Sequence, residues 1–249
     1  MSNNNLTDRA FWAKYWESKV DLVTTVSQKY PFDKVLERIN AEGNIKTAIE
    51  LGGFPGYYAI YLKKYFGISP TLLDYFIHRE LLEKLLAYNH LSATDVKIIE
   101  TDLFEYHTTE QFDFVLSVGL IEHFEDTENI IRQHISFLKP GAKLLITIPN
   151  FRGVNGWVQR TFDRYNYDKH NIACMDPKLL KNIAEKLGLK AVETYHYGKF
   201  SVWLENRKEK SFLTKAFVKL IWIAGKVLTR IVPVESRLFS PYIVLEASQ

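Results

Sequence analysis

The stretch Thr47-Ala48-Ile49-Glu50-Leu51-Gly52-Gly53-Phe54-Pro55-Gly56-Tyr57-Tyr58-Ala59 constrains this chain more than any other. A short apolar run, Ala48 to Leu51, carries the carboxylate of Glu50 at its end. It turns over three glycines and a proline and enters an apolar, helix-like segment reaching about Tyr65. A strand, a glycine turn and a helix in that order bring bare backbone close to a ligand, because glycine has no Cβ to block the approach. The dinucleotide fingerprint G-x-G-x-x-G would need glycine at 54 and 57, where Phe54 and Tyr57 stand. No Gly-Lys-Ser/Thr closes a phosphate loop either. What remains is acidic-x-Gly-x-x-x-Gly, made of Glu50, Gly52 and Gly56, with Gly53 inside the turn. Taken alone, the pattern also fits an ordinary strand-to-helix turn in another α/β protein.

The rest of the chain repeats that alternation. Apolar strand candidates fall at 46–51, 70–74, 96–100, 112–117 and 143–148, with helical stretches between them at 56–66, 77–89 and 127–138. Such alternation reads as βαβ units, hence a parallel sheet with helices on both faces. A helix at 178–187, a strand near 190–197 and a last strand from Tyr242 bring the count to seven strands. Ahead of the first strand, Phe11, Trp12, Tyr15 and Trp16 fall at helical spacing, and Pro31 is expected to open a second helix, Phe32 to Ala41. With 249 residues, 47% of them hydrophobic, there is material for one substantial domain with decoration. A formal charge of +3 is too small to argue for a nucleic-acid partner. The single cysteine, Cys174, excludes an internal disulfide framework and a cysteine-based zinc site, and the first residues lack the apolar core of a leader. A reducing cytoplasm is therefore the expected setting.

In an open α/β sheet the ligand lies beyond the carboxyl ends of the strands. Glu50, Asp74 and Asp102 each stand at or just past such an end. Asp74 follows Glu50 by one βαβ unit, and a carboxylate there can accept two hydrogen bonds from a vicinal diol. Any one of the three, taken singly, could instead cap a helix. Further on come Glu122-His123-Phe124, directly after the fourth strand, and Leu138-Lys139-Pro140-Gly141 ahead of the fifth.

Together with Glu50-x-Gly52-x-x-x-Gly56, these segments resemble the class I S-adenosylmethionine (SAM) methyltransferases over residues 46–150, and more loosely to 198. The first motif of that family is usually Asp/Glu-x-Gly-x-Gly-x-Gly, and Phe54 replaces its middle glycine. The resemblance implies an α/β fold, a Rossmann-like seven-stranded, mostly parallel sheet. It implies a helical lid over 1–45, a SAM-binding core over 46–204, a helical insert over 205–235 and a final core strand over 236–249. It also implies a cofactor site of Glu50, Gly52, Gly53, Gly56, Asp74, Tyr75, Asp102, Leu103 and Ser117. There Glu50 would face the methionine ammonium, Asp74 the ribose and Asp102 the adenine amino group, with Leu103 beside the ring.

Methyl transfer to a hydroxyl is helped by a base, and a neutral histidine suits that task. His123 lies where an acceptor should enter. His170, in a polar and aromatic loop region expected from Asn150 to Met175, is a second candidate. Some quinone-pathway O-methyltransferases resembling this chain bind a metal with Glu-x-x-Glu-His at this place. Gly119 stands at the first of those positions, so no metal is expected. The expected reaction is O-methylation of a small or lipid-linked acceptor. A SAM-binding protein without turnover is the alternative, and a nucleotide-dependent oxidoreductase a weaker one.

Residues 211–232 contain four bases and no acid. At about 100° per residue, Lys215, Lys219, Lys226 and Arg230 fall within about 60° of one another on a helix that is otherwise nearly apolar. Such a helix suits an anionic membrane surface or a greasy acceptor channel. It also suits packing on the sheet or on a second subunit, as one helix or as a pair bent at Gly225. Those readings leave open a protein peripheral to the membrane and a homodimer.

Overall fold

A computed structural model describes residues 5–19, 21–205, 207–231 and 235–249. Seven strands form one sheet: β1 (Thr47–Leu51), β2 (Ser69–Asp74), β3 (Lys97–Glu100), β4 (Phe112–Val118), β5 (Leu138–Pro149), β6 (Lys190–Tyr197) and β7 (Tyr242–Ser248). Their order is β3-β2-β1-β4-β5-β7-β6. The first five pair in parallel, whereas β7 runs antiparallel to both β5 and β6. The chain builds outward from β1 to β3 and then returns to lay β4 on the other side of β1. That reversal opens a crevice beyond the carboxyl ends of β1 and β4.

Alternation in β1 shows how the layers form. Ile49 and Leu51 belong to one core, with Ile130 and Ile131 of α5 (Thr127–Ser136) and Leu180 and Ala184 of α8 (Pro177–Lys186). Ala48 faces the other core. There it meets Val35, Leu36 and Ile39 of α2 (Asp33–Glu42), Ile60 and Tyr61 of α3 (Tyr57–Phe66), and Leu82 and Leu85 of α4 (Arg79–Tyr88). A strand covered on both faces has to be apolar throughout, as Ala48 to Leu51 is apart from Glu50. The N-terminal α1 (Arg9–Ser18) contributes no buried residue and lies at the mouth of the crevice. Among the described residues of the first 45, α2 is thus a core helix, whereas Asn5, Thr7 and α1 border the crevice.

Several local expectations are corrected. The second helix begins at Asp33, not Phe32, whose φ of 65° takes it out of the helix. Pro140-Gly141 lies inside β5, where the register with β4 shifts, and does not precede the strand. The segment from Asn150 to Met175 is not a loop. It holds α6 (Val154–Phe162) and the short α7 (Arg164–Tyr167). Its polar composition hides the helix because Asn155 and Gln159 are buried, with Gln159 donating to the Trp203 carbonyl at 2.8 Å. Finally, α9 (Phe212–Ile231) runs unbroken through Gly225. The glycine serves an approach there, since a Cβ would strike the Phe200 ring. The last residue of the 211–232 segment lies outside the described residues.

Candidate active site

β1 delivers the chain to Gly52, whose φ of +62° suits glycine and whose N–H donates to the Leu73 carbonyl at 2.8 Å. A Cβ at Gly52 would stand 2.5 Å from a Leu120 methyl, so the turn keeps a bare backbone edge toward the crevice. Glu50 does not reach that crevice. Its carboxylate turns under Gly53 and accepts the Ala59 N–H at 2.7 Å, at the start of α3. Burial pushes its carboxyl up to about 8, although the Ala59 bond pulls the other way. Glu50 therefore braces the glycine turn from behind.

The other two carboxylates line the crevice, with Gly52, Tyr75 and Leu103. Asp74 ends β2 and accepts the N–H groups of Phe54 (2.8 Å) and Phe76 (3.0 Å), one on each oxygen. Each oxygen retains a lone pair for a ligand hydroxyl. Burial raises this carboxyl to about 6 against those hydrogen bonds. Asp102, just past β3, accepts the Phe104 N–H at 2.8 Å. Gly53, Gly56 and Ser117 lie outside the crevice lining. The Ser117 hydroxyl is fully buried and bonds His134 Nε2 at 2.9 Å.

Trp12 and Trp16 of α1 line the crevice on the side where the resemblance implied a lid. The Trp16 ring stands edge-on to Phe54 at 5.2 Å, and Trp12 stands edge-on to His123 at 4.9 Å. The residue at the middle-glycine position is thus an aromatic seat for the covering helix.

A second hollow, sharing Trp12, Trp16, Gly52, Gly119 and His123 with the first, continues toward Glu122, Phe151, His170, Trp203 and Tyr242. Two segments far apart in sequence meet here. The Asn171 N–H donates to the Glu122 carbonyl at 2.6 Å, and its side-chain amide donates to the Phe124 carbonyl at 2.9 Å. This staple sets the His170 ring 4.7 Å from that of His123. His123 Nδ1 bonds the Lys169 carbonyl (3.0 Å), and His170 Nδ1 bonds the Asn166 carbonyl (2.7 Å). A carbonyl oxygen only accepts, so each Nδ1 carries the proton and each Nε2 keeps its lone pair. Burial, with His170 adding to it, lowers His123 to about 3, and burial also lowers His170. Both rings are neutral bases at neutral pH. Beside them Glu122 is 1% exposed, with Oε2 lacking any hydrogen-bond partner, and burial pushes its carboxyl up to about 8. Glu122, His123 and His170 offer ligand atoms within 4.8 Å of one another.

Residues 27–194 match the family model described as a methyltransferase domain, which spans well over half of the chain. The chain belongs to the methyltransferase-domain family. The methyltransferase superposes on a SAM-dependent methyltransferase from Archaeoglobus fulgidus with a TM-score of 0.57, at 17% identity over 97% of this chain and all of that one. Phosphoethanolamine N-methyltransferase 2 of Haemonchus contortus, solved with SAM, gives a TM-score of 0.61 at 17% identity over 98% of this chain. This chain spans only 57% of that protein's length. An O-methyltransferase family protein from Burkholderia thailandensis gives 0.54 at 17% identity, over 88% of this chain and 56% of the other. No curated protein sequence matches the chain.

The cofactor of this methyltransferase is SAM. The crevice fits it on the structure's own terms. A glycine edge that a Cβ would fill and two carboxylates at the ends of adjacent strands line one cleft, beside the hollow that holds both candidate bases. Asp74 and Tyr75 would hold the ribose region, and Asp102 and Leu103 the base.

Proposed function

We propose that this methyltransferase O-methylates a small or lipid-linked acceptor bound in the hollow between α1, α7 and the end of β5, with the cofactor held by Gly52, Asp74, Tyr75, Asp102 and Leu103. The observation that carries this reading is the pair of imidazoles in the hollow adjoining the cofactor cleft, each with its proton fixed on Nδ1 and its Nε2 lone pair unused. When bound, SAM supplies a methyl group on a sulfonium, a leaving group that needs no activation. The protein's share is to align the acceptor, exclude water and give the acceptor's proton a base. Trp12, Tyr15 and Trp16 exclude water from above, and α1 acts as the lid. His123 and His170 supply the base. Loss of the middle glycine favoured a binding protein without turnover. Phe54 is buried against Trp16 and does not line the cofactor half of the cleft, which weakens that alternative.

The same reading places α9 on the cytoplasmic surface of an anionic membrane. Phe212, Leu213 and Leu220 are 81%, 77% and 63% exposed, and Ile223, Val227 and Leu228 continue the same face, with Phe217 partly turned onto Phe162. The cationic stripe borders it. With no acid in α9, a second copy of the helix would bring no counter-charge, whereas anionic lipids would. No described helix is long and apolar enough to cross a membrane. The chemistry is tested with His123→Ala. S-adenosylhomocysteine should bind this variant as it binds the wild type, while kcat with a hydroxyl acceptor falls by about 10²-fold or more. Unchanged kcat would remove the imidazole from the reaction.

A further inference from the structure

The carboxyl of Glu122 is buried with little more than its own backbone N–H to offset the cost. Among the described residues no ion pair reaches it, and its Oε2 lies buried without a hydrogen bond. A buried polar oxygen left unpaired costs about 1–3 kcal/mol, and more once it is charged. The groups closest to it in function are neutral imidazoles, and their arrangement is the one that metal-bound histidines adopt. Each ring donates its Nδ1–H to a backbone carbonyl, which fixes the tautomer and leaves Nε2 with its lone pair to ligate. Asn171 clamps the segment carrying His170 onto the one carrying Glu122 and His123, so the geometry is held by backbone and not by chance rotamers.

We propose that Glu122, His123 and His170 form a binding site for one divalent transition-metal ion. Two nitrogens and one carboxylate oxygen are a ligand set suited to zinc, manganese or iron(II). Three protein ligands leave a position open toward the hollow. A tetrahedral ion with bonds of about 2.0–2.2 Å holds its ligand atoms roughly 3.4 Å apart. Separations of up to 4.8 Å therefore close by small side-chain rotations. The sequence reading expected no metal because Gly119 stands where a further carboxylate would be needed. The third ligand comes instead from His170, 47 positions after His123 and on another element. The ion would satisfy the Glu122 charge and bind the acceptor oxygen, lowering its pKa, in place of a free imidazole base. That role rests on reading this hollow as the acceptor site, but ion binding does not.

Full-length protein stripped with a chelator and titrated calorimetrically with zinc chloride tests the site. One Zn²⁺ per chain is expected, with affinity at least tenfold weaker in Glu122→Gln and in His170→Ala. The nearly isosteric Glu122→Gln guards against a fold defect in His170→Ala. In the wild type, added Zn²⁺ should shift the NMR ring resonances of two of the seven histidines. No uptake by the stripped wild type, wild-type affinity in both variants, or no shifted histidine pair would overturn the site. S-adenosylhomocysteine binding, measured on the same samples, separates the two readings. If it persists without zinc uptake, only the metal site falls. If zinc binds but the nucleoside does not, the cofactor cleft is misassigned and the metal site stands.

Discussion

Glu50 and Asp74 end neighbouring strands and are both nearly inaccessible, yet only Asp74 opens on the cleft. Their separate fates follow from where the nearest orphan N–H groups lie. The start of α3 captures Glu50, while the turn after β1 and the one after β2 share Asp74. Asp113 shows the same logic at the opposite edge of the sheet. Its Oδ2 accepts the N–H groups of Lys46 (3.0 Å) and Thr47 (2.9 Å), and Lys139 sits 2.8 Å from Oδ1. Partial burial alone would raise its carboxyl, but Lys139 and the donated hydrogen bonds outweigh that and hold it at about 2. A carboxyl lowered on folding adds stability above its unfolded pKa of about 4, and that stability is lost as pH falls toward 2. Asp113→Asn should therefore lower the melting temperature at pH 6. The gap from wild type should shrink between pH 4 and pH 2, followed by circular dichroism at each pH. A gap independent of pH would mean the charge contributes nothing.

Among the longer helices, α1 and α9 both leave a large part of their described surface unburied, and they do so differently. α1 is held by directed contacts: Arg9 pairs with Glu100 at 2.6 Å, and Tyr15 and Lys19 both reach Glu205, at 2.9 and 2.8 Å. It covers the cleft through Trp12 and Trp16. An edge-on aromatic pair is worth about 0.5–1.5 kcal/mol beyond its buried area. Trp16→Ala should thus weaken S-adenosylhomocysteine binding about 2- to 10-fold by calorimetry, and unchanged affinity would show the helix to be a bystander. α9 is held mainly by Val218, and by Gly225 against Phe200. Phe217 also touches the Phe162 ring at 5.7 Å, and much of the rest of the helix's apolar face, Phe212, Leu213 and Leu220 above all, is exposed among the described residues. If that face enters an anionic bilayer, replacing Phe217 and Leu220 with glutamate should cut sedimentation with phosphatidylserine vesicles by about tenfold or more. The same variant should leave catalysis on a soluble acceptor intact. A dimer dissociating in this variant, without any vesicle binding by wild type, would assign the face to a second subunit.

For the molecule as a whole, cofactor binding and folding are linked, because the cleft exists only where β1, β2, β3 and β4 come together. S-adenosylhomocysteine at about 100 times its Kd should stabilise the fold by about 2.7 kcal/mol. For a chain of this size that is a rise in Tm of about 5–10 °C by differential scanning fluorimetry. Asp74→Ala and Asp102→Ala should each abolish most of it. Absence of a rise in the wild type would remove the cofactor from the cleft. The sheet and its order of elements were legible in the sequence because strand burial is periodic and local: Ala48 and Ile49 announce their opposite faces within two residues. Gly52, Asp74 and Asp102 were legible for the same reason, since strand ends sit at fixed places in a parallel sheet. What tertiary structure alone decided is which way a side chain turns once it arrives, and what meets it there. No spacing rule sends Glu50 behind the turn, seats Phe54 under Trp16, or sets His170 beside His123. Those outcomes depend on contacts between residues far apart in the chain, such as the Asn171 staple, which exist only after the chain has folded.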